Sequence, residues 1–381
     1  MSYKCPYCLF MFSQEQAIVE HRHEGITTYN CPNPAVIEEG SERKICGKRL
    51  PLNFLESESI VIALTGAAGV GKTYYYLALL DQLKNNRALH QLGIQGDIVG
   101  SQEDKRKLQS FFEDVKYKKQ LIKTASIESA IKSVIHLTIT KRDRTKHVYL
   151  SFFDNPGEKF TDIDHMIDNF SNVYKADGLL FLFEPKQVEK LQMSILKHNP
   201  YLEDEEETDD FYTVLNNVIQ LIKHVRNPNN SNPNNVTANI SNTRSKWEMA
   251  KIKFANLKGW ERGSSKVKIP FALAISKFDQ LKKLIHVSIP FDESQLETMC
   301  ISNDKFNDDL VNAISNEIEE LITGKPDGEA RIKNLLNSNM RHYAYFGVKS
   351  VEVDERGQPI DLKPQGVLLP LIWLLSKLQL Y

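Results

Sequence analysis

The chain has 381 residues, of which 41% are hydrophobic and 25% charged, and this composition indicates a globular protein with one large domain and room for a small module. Its formal net charge of −1 argues against electrostatic attraction to nucleic acid or to an anionic membrane. The longest apolar run, 367–375, is too short to span a bilayer and contains Pro370. No export signal is visible, so we expect a cytoplasmic protein.

Four of the five cysteines lie near the start of the chain, at Cys5, Cys8, Cys31 and Cys46. A C-x-x-C pair places two thiolates on one turn, and the two later cysteines could complete a tetrahedral Zn²⁺ site. Residues 1–52 therefore resemble a zinc ribbon, although the second half lacks the usual tight spacing. A metal would give this small segment the stability that its few core residues do not.

Other interpretations of this segment stay open. His21 follows Cys5 and Cys8 at the spacing of a two-Cys two-His finger, but His23 comes too soon after it to be the last ligand. Four metal-free thiols are a further alternative, and Cys300 is expected to be a buried structural thiol. Too few basic residues are present for a nucleic-acid-binding face, and these are Arg43, Lys44, Lys48 and Arg49.

An apolar strand is predicted at Ser59–Leu64, followed by G-x-x-x-x-G-K-T and a predicted helix at Tyr74–Lys84. A glycine-rich loop between a strand and a helix lets backbone N–H groups surround a phosphate. Lys72 would reach the β- and γ-phosphates, and the Thr73 hydroxyl would bind Mg²⁺. The predicted nucleotide-binding residues of this loop are Gly66, Ala67, Ala68, Gly69, Val70, Gly71, Lys72 and Thr73.

A polar stretch from Gln91 to about Thr124 lies where a switch loop ordered by the γ-phosphate would lie. A threonine in such a loop would bind the same Mg²⁺, and Thr124 is the candidate among several. Beyond it, Ile131–Thr140 and His147–Phe153 are predicted to form a β-hairpin with a polar turn at 141–146.

The second hairpin strand ends in D-N-P-G-E. Asp154, at the end of a buried strand, would hold Mg²⁺ through water, and the N–H of Gly157 would contact the γ-phosphate. Glu158 stands where a glutamine often orients the attacking water in such sites. Either Glu158 orients or deprotonates that water, or it is a solvated residue in the first turn of a helix.

A further buried strand is predicted at Gly178–Phe183, and a polar insertion follows at about 196–265. Within it, the helix predicted at Phe211–Arg226 is flanked by an acidic run, 203–210, and an Asn/Pro-rich run, 227–235. Such runs cannot bury enough apolar area to fold alone. We therefore expect an inserted helix between surface loops.

The strand predicted at Ile269–Ile275 ends in Ser276-Lys277-Phe278-Asp279, which resembles the [N/T]-K-x-D guanine-recognition motif. The Asp279 carboxylate would accept hydrogen bonds from guanine N1–H and N2, which adenine does not offer, and the Lys277 stem would cover the purine. Ser276 replaces the usual Asn or Thr, but its hydroxyl can keep part of a bridge to the phosphate loop. After a last strand at Tyr343–Phe346, Lys349 is predicted to contact the base, and an apolar helix at 366–380 closes the chain.

Together these motifs resemble the TRAFAC class of P-loop GTPases over about residues 55–381. The D-N-P-G-E sequence, the insertion and a closing P-x-x-x-L-L helix after a cysteine-rich N-terminus are similar to bacterial GTPases of anti-phage conflict gene clusters. The resemblance implies an α/β, Ras-like fold in which helices cover both faces of a mostly parallel sheet. It also implies a GTP/GDP-dependent switch with Mg²⁺, in which Lys72, Gly157 and Glu158 are catalytic, and a protein effector or activator.

Two other function classes are kept. A GTP-binding scaffold that does not hydrolyse GTP is suggested by Glu158 in place of glutamine. A P-loop ATPase is suggested because ATPases share the phosphate loop, but Asp279 would then have no partner on the adenine base.

Overall fold

The computed structural model describes residues 2–23, 26–33, 37–39, 42–44, 46–85, 87–99, 102–115, 132–141, 144–155, 157, 160, 166, 170–188, 211–226, 266–279, 296–302, 305–323, 330–353 and 359–380. Thr124, Glu158 and most of the predicted insertion lie outside these ranges.

The N-terminal segment forms antiparallel strand pairs: β1 (Ser2–Lys4) with β2 (Met11–Ser13), β3 (Ile18–His23) with β4 (Ile26–Asn30), and β5 (Ile37–Glu39) with β6 (Glu42–Lys44). The elements after this segment are β7 (Glu58–Thr65), α1 (Lys72–Asn85), α2 (Arg87–Gln91), β8 (Ile94–Val99), α3 (Gln102–Glu113), β9 (Lys132–Lys141), β10 (Arg144–Asp154), α4 (Ser171–Tyr174), β11 (Gly178–Phe183), α5 (Phe211–Arg226), β12 (Phe271–Ile275), α6 (Leu296–Cys300), β13 (Ile301–Ser302), β14 (Lys305–Phe306), α7 (Asp308–Thr323), α8 (Ala330–Asn339), β15 (Tyr343–Gly347), β16 (Lys349–Val353), β17 (Pro359–Gln365) and α9 (Leu368–Lys377).

A central sheet with the strand order β15-β12-β11-β7-β10-β9-β8 organises the described part of the chain. Strands β7, β10, β11, β12 and β15 run parallel to one another, whereas β9 is antiparallel to both β10 and β8. The predicted α/β fold with a mostly parallel sheet is therefore confirmed. The carboxyl ends of the parallel strands meet at one end of the sheet, where such folds bind their ligands.

Helices pack on both faces of this sheet, as the contacts of β11 demonstrate. Alternate residues of a strand point to opposite faces. Phe181 and Phe183 pack against Phe211 of α5, edge-to-face and tilted, with ring centroids 5.6 and 4.3 Å away. On the other face, a Cβ at Gly178 would lie 3.3 Å from the Leu374 side chain of α9. Because β11 is covered from both sides, it consists entirely of buried residues.

Two local predictions differ from the structure. The polar stretch after α1 contains β8 and α3, which need few apolar residues because β8 is at the edge of the described sheet. Ile94 and Leu108 supply their buried contacts to the main core. The hairpin turn is also shorter than predicted, since Lys141 pairs with Arg144 and the charged residues continue both strands. Exposed strand ends tolerate charged side chains because these do not face the core.

The helix predicted at Phe211–Arg226 is present and belongs to the main core, and the runs predicted as surface loops on either side of it lie outside the described residues. Val214, Val218, Leu221 and Ile222 are all fully buried. This apolar face packs with the sheet, so α5 is a structural part of the domain. No helix among the described residues is long and apolar enough to cross a membrane.

The N-terminal segment is attached to the amino end of the central sheet. The Lys4 ammonium contacts both carboxylate oxygens of Asp177 at 3.0 and 2.8 Å, and Asp177 also accepts the Val61 backbone N–H at 2.8 Å. The Ser59 hydroxyl donates to the Lys4 carbonyl at 2.7 Å. An apolar cluster, formed by Tyr3, Phe12, Leu50, Phe54, Leu55, Val134 and Tyr149 together with two of the cysteines, completes this attachment.

Candidate nucleotide site and cysteine cluster

The loop between β7 and α1 has a backbone that glycine alone adopts readily. Gly66, Gly69 and Gly71 have φ values of +134°, +73° and +83°. A Cβ at Gly66 would also lie 2.0 Å from the carbonyl oxygen of Leu182 on β11. The loop is therefore held tightly against the sheet, and it leads into the first turn of α1, where unpaired N–H groups favour an anion.

The ammonium of Lys72 lies inside this loop. It donates hydrogen bonds to the carbonyl oxygens of Gly66 and Ala67 at 3.0 and 2.6 Å, and the residue is only 5% exposed. A buried cation is costly unless it is paired or hydrogen-bonded. It adds a positive charge beside the helix N-terminus, at the loop that the sequence predicts to bind phosphate.

The predicted Mg²⁺ ligands Thr73 and Asp154 are brought together by strand pairing. Strand β10 runs parallel to β7, with Asp154 opposite Leu64. The Thr73 hydroxyl donates to Asp154 Oδ2 at 2.9 Å, and both residues are buried. The contact places two hard oxygens, which Mg²⁺ prefers, beside the loop, where Thr73 could bind the ion directly and Asp154 through a water ligand, as predicted. Thr124, the third predicted ligand, lies outside the described residues.

Gly157 contacts the phosphate loop directly. A Cβ on it would lie 2.2 Å from the backbone nitrogen of Ala68 and 2.3 Å from the carbonyl carbon of Ala67. The space between the two backbones therefore admits no side chain, which explains the glycine of the D-x-x-G sequence. Glu158, the predicted water-orienting residue, lies outside the described residues.

A buried pair of asparagines, not found by sequence reasoning, fixes the segment between Asp154 and Gly157. Asn155 donates to the Leu64 carbonyl at 3.1 Å and accepts a hydrogen bond from Asn172 of α4 at 2.7 Å. Both side chains are buried and therefore need such partners. Asn172 has no motif around it, so only the folded structure identifies its role.

The residues predicted to recognise the base lie at the carboxyl end of β12. The Ser276 backbone N–H and hydroxyl both donate to the Phe183 carbonyl, at 2.8 and 3.2 Å, so the hydroxyl is bonded to β11 and not to the phosphate loop. Phe278 is buried against Gly347, where a Cβ would lie 2.3 Å from its ring. Lys277 has a φ of +54°, which turns it out of the strand.

The last loop reaches the same place through an ion pair. Lys349 Nζ lies 3.3 Å from Asp279 Oδ2, and their side chains are 16% and 23% exposed. The backbone N–H of Val348 donates to the Ile275 carbonyl at 2.9 Å, and this bond fixes the start of the loop. The structure thus brings the predicted residues Asp279 and Lys349 together at the open end of the sheet.

Lys277 has a partner that the sequence did not indicate. Its ammonium donates to Glu184 Oε2 at 2.5 Å. Glu184 directly follows β11, and its side chain is 10% exposed. A glutamate after a strand carries no recognisable motif, and its pairing with a lysine far away in the chain depends on the neighbouring positions of β11 and β12.

The four N-terminal cysteines form a second site at the opposite end of the sheet. The sulfurs of Cys5, Cys8, Cys31 and Cys46 all lie within 4.8 Å of one another, and those of Cys8 and Cys31 are 3.6 Å apart. A tetrahedral Zn²⁺ with Zn–S bonds of about 2.3 Å separates its sulfurs by about 3.8 Å, so the cluster fits that ion. The side chains of His21 and His23 lie outside the described residues.

The surroundings of the cysteines also bear on metal binding. Hydrogen bonds among the four thiols lower the pKa of Cys8 and lower that of Cys46 to about 7, whereas they raise the pKa of Cys5 and, together with burial, that of Cys31. The thiolate is the form that binds a metal. The Asn33 amide donates to the Cys8 sulfur at 3.4 Å, an outer contact of the kind that orients metal ligands.

Comparison with known proteins identifies one relationship. A protein-family model described as Double-GTPase 2 matches residues 60–262, which is more than half of the chain. The matched range begins in β7 and includes the phosphate loop, Asp154, Gly157 and Glu184. No curated protein matches the chain.

Proposed function

The chain belongs to the Double-GTPase 2 family, and from this premise we propose that it is a Mg²⁺-dependent molecular switch that binds and hydrolyses GTP. The family implies guanine nucleotides as ligands. The observation that carries the proposal is the 2.9 Å contact between Thr73 and Asp154 beside the buried Lys72 ammonium. Phosphoryl transfer requires oxygens that hold Mg²⁺ and a cation that contacts the phosphates, and Thr73, Asp154 and Lys72 offer these groups at one loop.

In the proposed reaction, the chain positions the triphosphate and stabilises the charge that develops on it. Thr73 and Asp154 would hold Mg²⁺, which when bound would supply positive charge to the phosphate oxygens. Lys72 exchanges its carbonyl partners for phosphate oxygens, and the Gly157 N–H donates to the γ-phosphate. Glu158 orients the water that attacks the γ-phosphorus, the bond to the bridging oxygen breaks, and GDP leaves with phosphate as the second product.

Asp279, Lys277 and Lys349 bind the base in this proposal. The Asp279 carboxylate accepts hydrogen bonds from guanine N1–H and N2, and Lys277 covers the purine face. The ion pair with Lys349 holds the Asp279 carboxylate in place before the base arrives. Preorganised partners of this kind reduce the entropy lost on binding.

The cysteine cluster is proposed to hold a structural Zn²⁺ in a module of residues 1–52, with the GTPase domain at 55–381. A closed set of four sulfurs leaves no position for a substrate, which is typical of structural sites. The motif order also supports placing the chain in the TRAFAC class, and its resemblance to conflict-system GTPases supports a switch in bacterial defence that acts on a protein effector.

Phosphate release from GTP tests the proposal against a scaffold that only binds. We expect Mg²⁺-dependent multiple turnover in the wild type, a loss of about 100-fold in Glu158→Ala, and loss of the Mg²⁺ dependence of GTP binding in Thr73→Ala. If the wild type binds GTP but hydrolyses none of it in any condition, the alternative of a GTP-binding scaffold is favoured. Faster hydrolysis of ATP than of GTP would favour the ATPase.

A further inference from the structure

We infer that Glu184 is a positioning residue of the nucleotide site, whose carboxylate holds Lys277 where the lysine stem covers the purine. The inference rests on the proposed function and adds to it a residue outside the motifs for phosphate, metal or base. It concerns affinity for the base and not the chemistry at the phosphate.

The ion pair has one fixed member and one exposed member. The Glu184 side chain is 10% exposed, whereas that of Lys277 is 46% exposed, and Glu184 Oε2 is 2.5 Å from Lys277 Nζ. A carboxylate in the wall of the site thus holds the end of a lysine whose stem borders on solvent. The stem between these points is the surface available to a purine ring.

The backbones of both residues are also restrained. The Glu184 N–H donates to Gln187 Oε1 at 3.1 Å, and Pro185 begins a short 3₁₀ turn directly after it. On β12, the two hydrogen bonds from Ser276 to Phe183 fix the residue that precedes Lys277. The φ of +54° at Lys277 is a conformation that a lysine rarely adopts, so the surrounding structure enforces it.

Electrostatics explain why a carboxylate is tolerated here. An unpaired carboxylate in this buried position would lose its hydration without compensation. Paired with Lys277, Glu184 is neutralised and limits the freedom of a side chain with many rotamers. The lysine therefore meets the base already ordered, and less entropy is lost on binding.

The test compares Glu184→Gln with a control glutamate that is equally exposed and also pairs with a lysine, but lies elsewhere in the domain. Glu319 is also 10% exposed and pairs at 2.8 Å with a lysine, Lys333, that is 49% exposed. This pair is on α7 and α8, and Glu319 also accepts a hydrogen bond from Tyr343 at the amino end of β15, away from the nucleotide. The ligands are GDP, which has a base, and inorganic pyrophosphate, which has none.

We expect Glu184→Gln to weaken GDP binding about fivefold, because Gln keeps a hydrogen bond to Lys277 but not the opposite charge. Pyrophosphate affinity should change less than about twofold, and Glu319→Gln should leave both affinities unchanged. Equal weakening of GDP and pyrophosphate, or GDP affinity as in Glu319→Gln, would overturn the inference.

A double-mutant comparison tests whether Glu184 acts through Lys277. Lys277→Met removes the charge that Glu184 pairs with, so Glu184→Gln in that background should cause no further loss of GDP affinity. A further fivefold loss would contradict action through Lys277. If the wild type binds ADP as tightly as GDP, the proposed function fails. If the wild type prefers GDP and the Glu184 variants do not differ from their controls, the inference alone fails.

Discussion

The two ends of strand β7 differ in what they contribute to the protein. At the carboxyl end, the strand leads into a loop with glycines at positive φ and a buried lysine ammonium. At the amino end, Ser59 and Val61 are bonded to Lys4 and Asp177, beside the cysteine cluster. The first end concentrates strain and desolvated charge at the ligand site, and the second supplies the packing and ion pairing that stabilise the strand.

Because the two ends of β7 differ in this way, we expect mutations at one end to affect nucleotide binding and mutations at the other end to affect the stability of the folded protein. Substitutions at the loop end should remove function at little cost in stability, or even with a gain, because they remove a buried charge. Substitutions at the cysteine end should lower stability and leave nucleotide binding almost unchanged.

Lys72→Ala should have the largest functional effect. Loss of the cation inside the loop should reduce GTP hydrolysis by about 100- to 1,000-fold, whereas the melting temperature should not fall. Phosphate release and thermal denaturation measure the two effects, with Lys84→Ala at the other end of α1 as the control. A large fall in melting temperature in Lys72→Ala alone would contradict the proposed separation.

Removal of metal from the cysteine cluster should have the largest effect on stability. Chelation, or Cys8→Ser, should destabilise the native protein by on the order of 3 kcal/mol, or about 10 °C in melting temperature, because the N-terminal strands lose their link. Metal analysis should give one zinc per chain, retained in Cys300→Ala. Protein purified without metal but with an unchanged melting temperature would argue against a structural ion.

Gly157→Ala should weaken the binding of GTP more than the binding of GDP. The new Cβ would meet the backbone of Ala67 and Ala68, so the segment must move away from the γ-phosphate. Binding of a non-hydrolysable GTP analogue should weaken about thirtyfold, and binding of GDP less than about threefold. Gly96→Ala is a control, since a Cβ on Gly96 would meet only side-chain atoms, those of Leu137 and Leu83 at 3.2 Å or more. Equal losses for both nucleotides would contradict the contact to the γ-phosphate.

Lys4→Met should have the smallest effect. The substitution breaks the pair with Asp177, whose side chain is 30% exposed and keeps the Val61 N–H. Partial exposure reduces the expected cost to about 1–2 kcal/mol. Urea denaturation measures this loss, and the affinity for GDP should change less than about twofold. A larger change in affinity would mean that the cysteine end influences the ligand site through β7.

Sequence reasoning located those parts of the site that depend on local backbone conformation. The phosphate loop and Gly157 require glycine, and Asp154 follows an apolar strand, so each left a recognisable pattern. The Lys4–Asp177 ion pair and the Asn155–Asn172 hydrogen bond have no recognisable sequence pattern, because each joins residues that are far apart in the chain and meet only in the packed structure. Likewise, β8 and α3 were missed because elements at the edge of a sheet need few apolar residues.

The most direct test of the central claim is equilibrium binding of GDP, ADP and xanthosine diphosphate, with Mg²⁺, to the wild type and to Asp279→Asn. The account predicts that the wild type prefers GDP by at least about tenfold, since Asp279 pairs with two guanine donors. The variant should lose GDP affinity and gain affinity for the xanthine nucleotide, whose C2 oxygen requires a donor. Equal binding of ADP and GDP by the wild type, with no change in the variant, would contradict guanine recognition at this site.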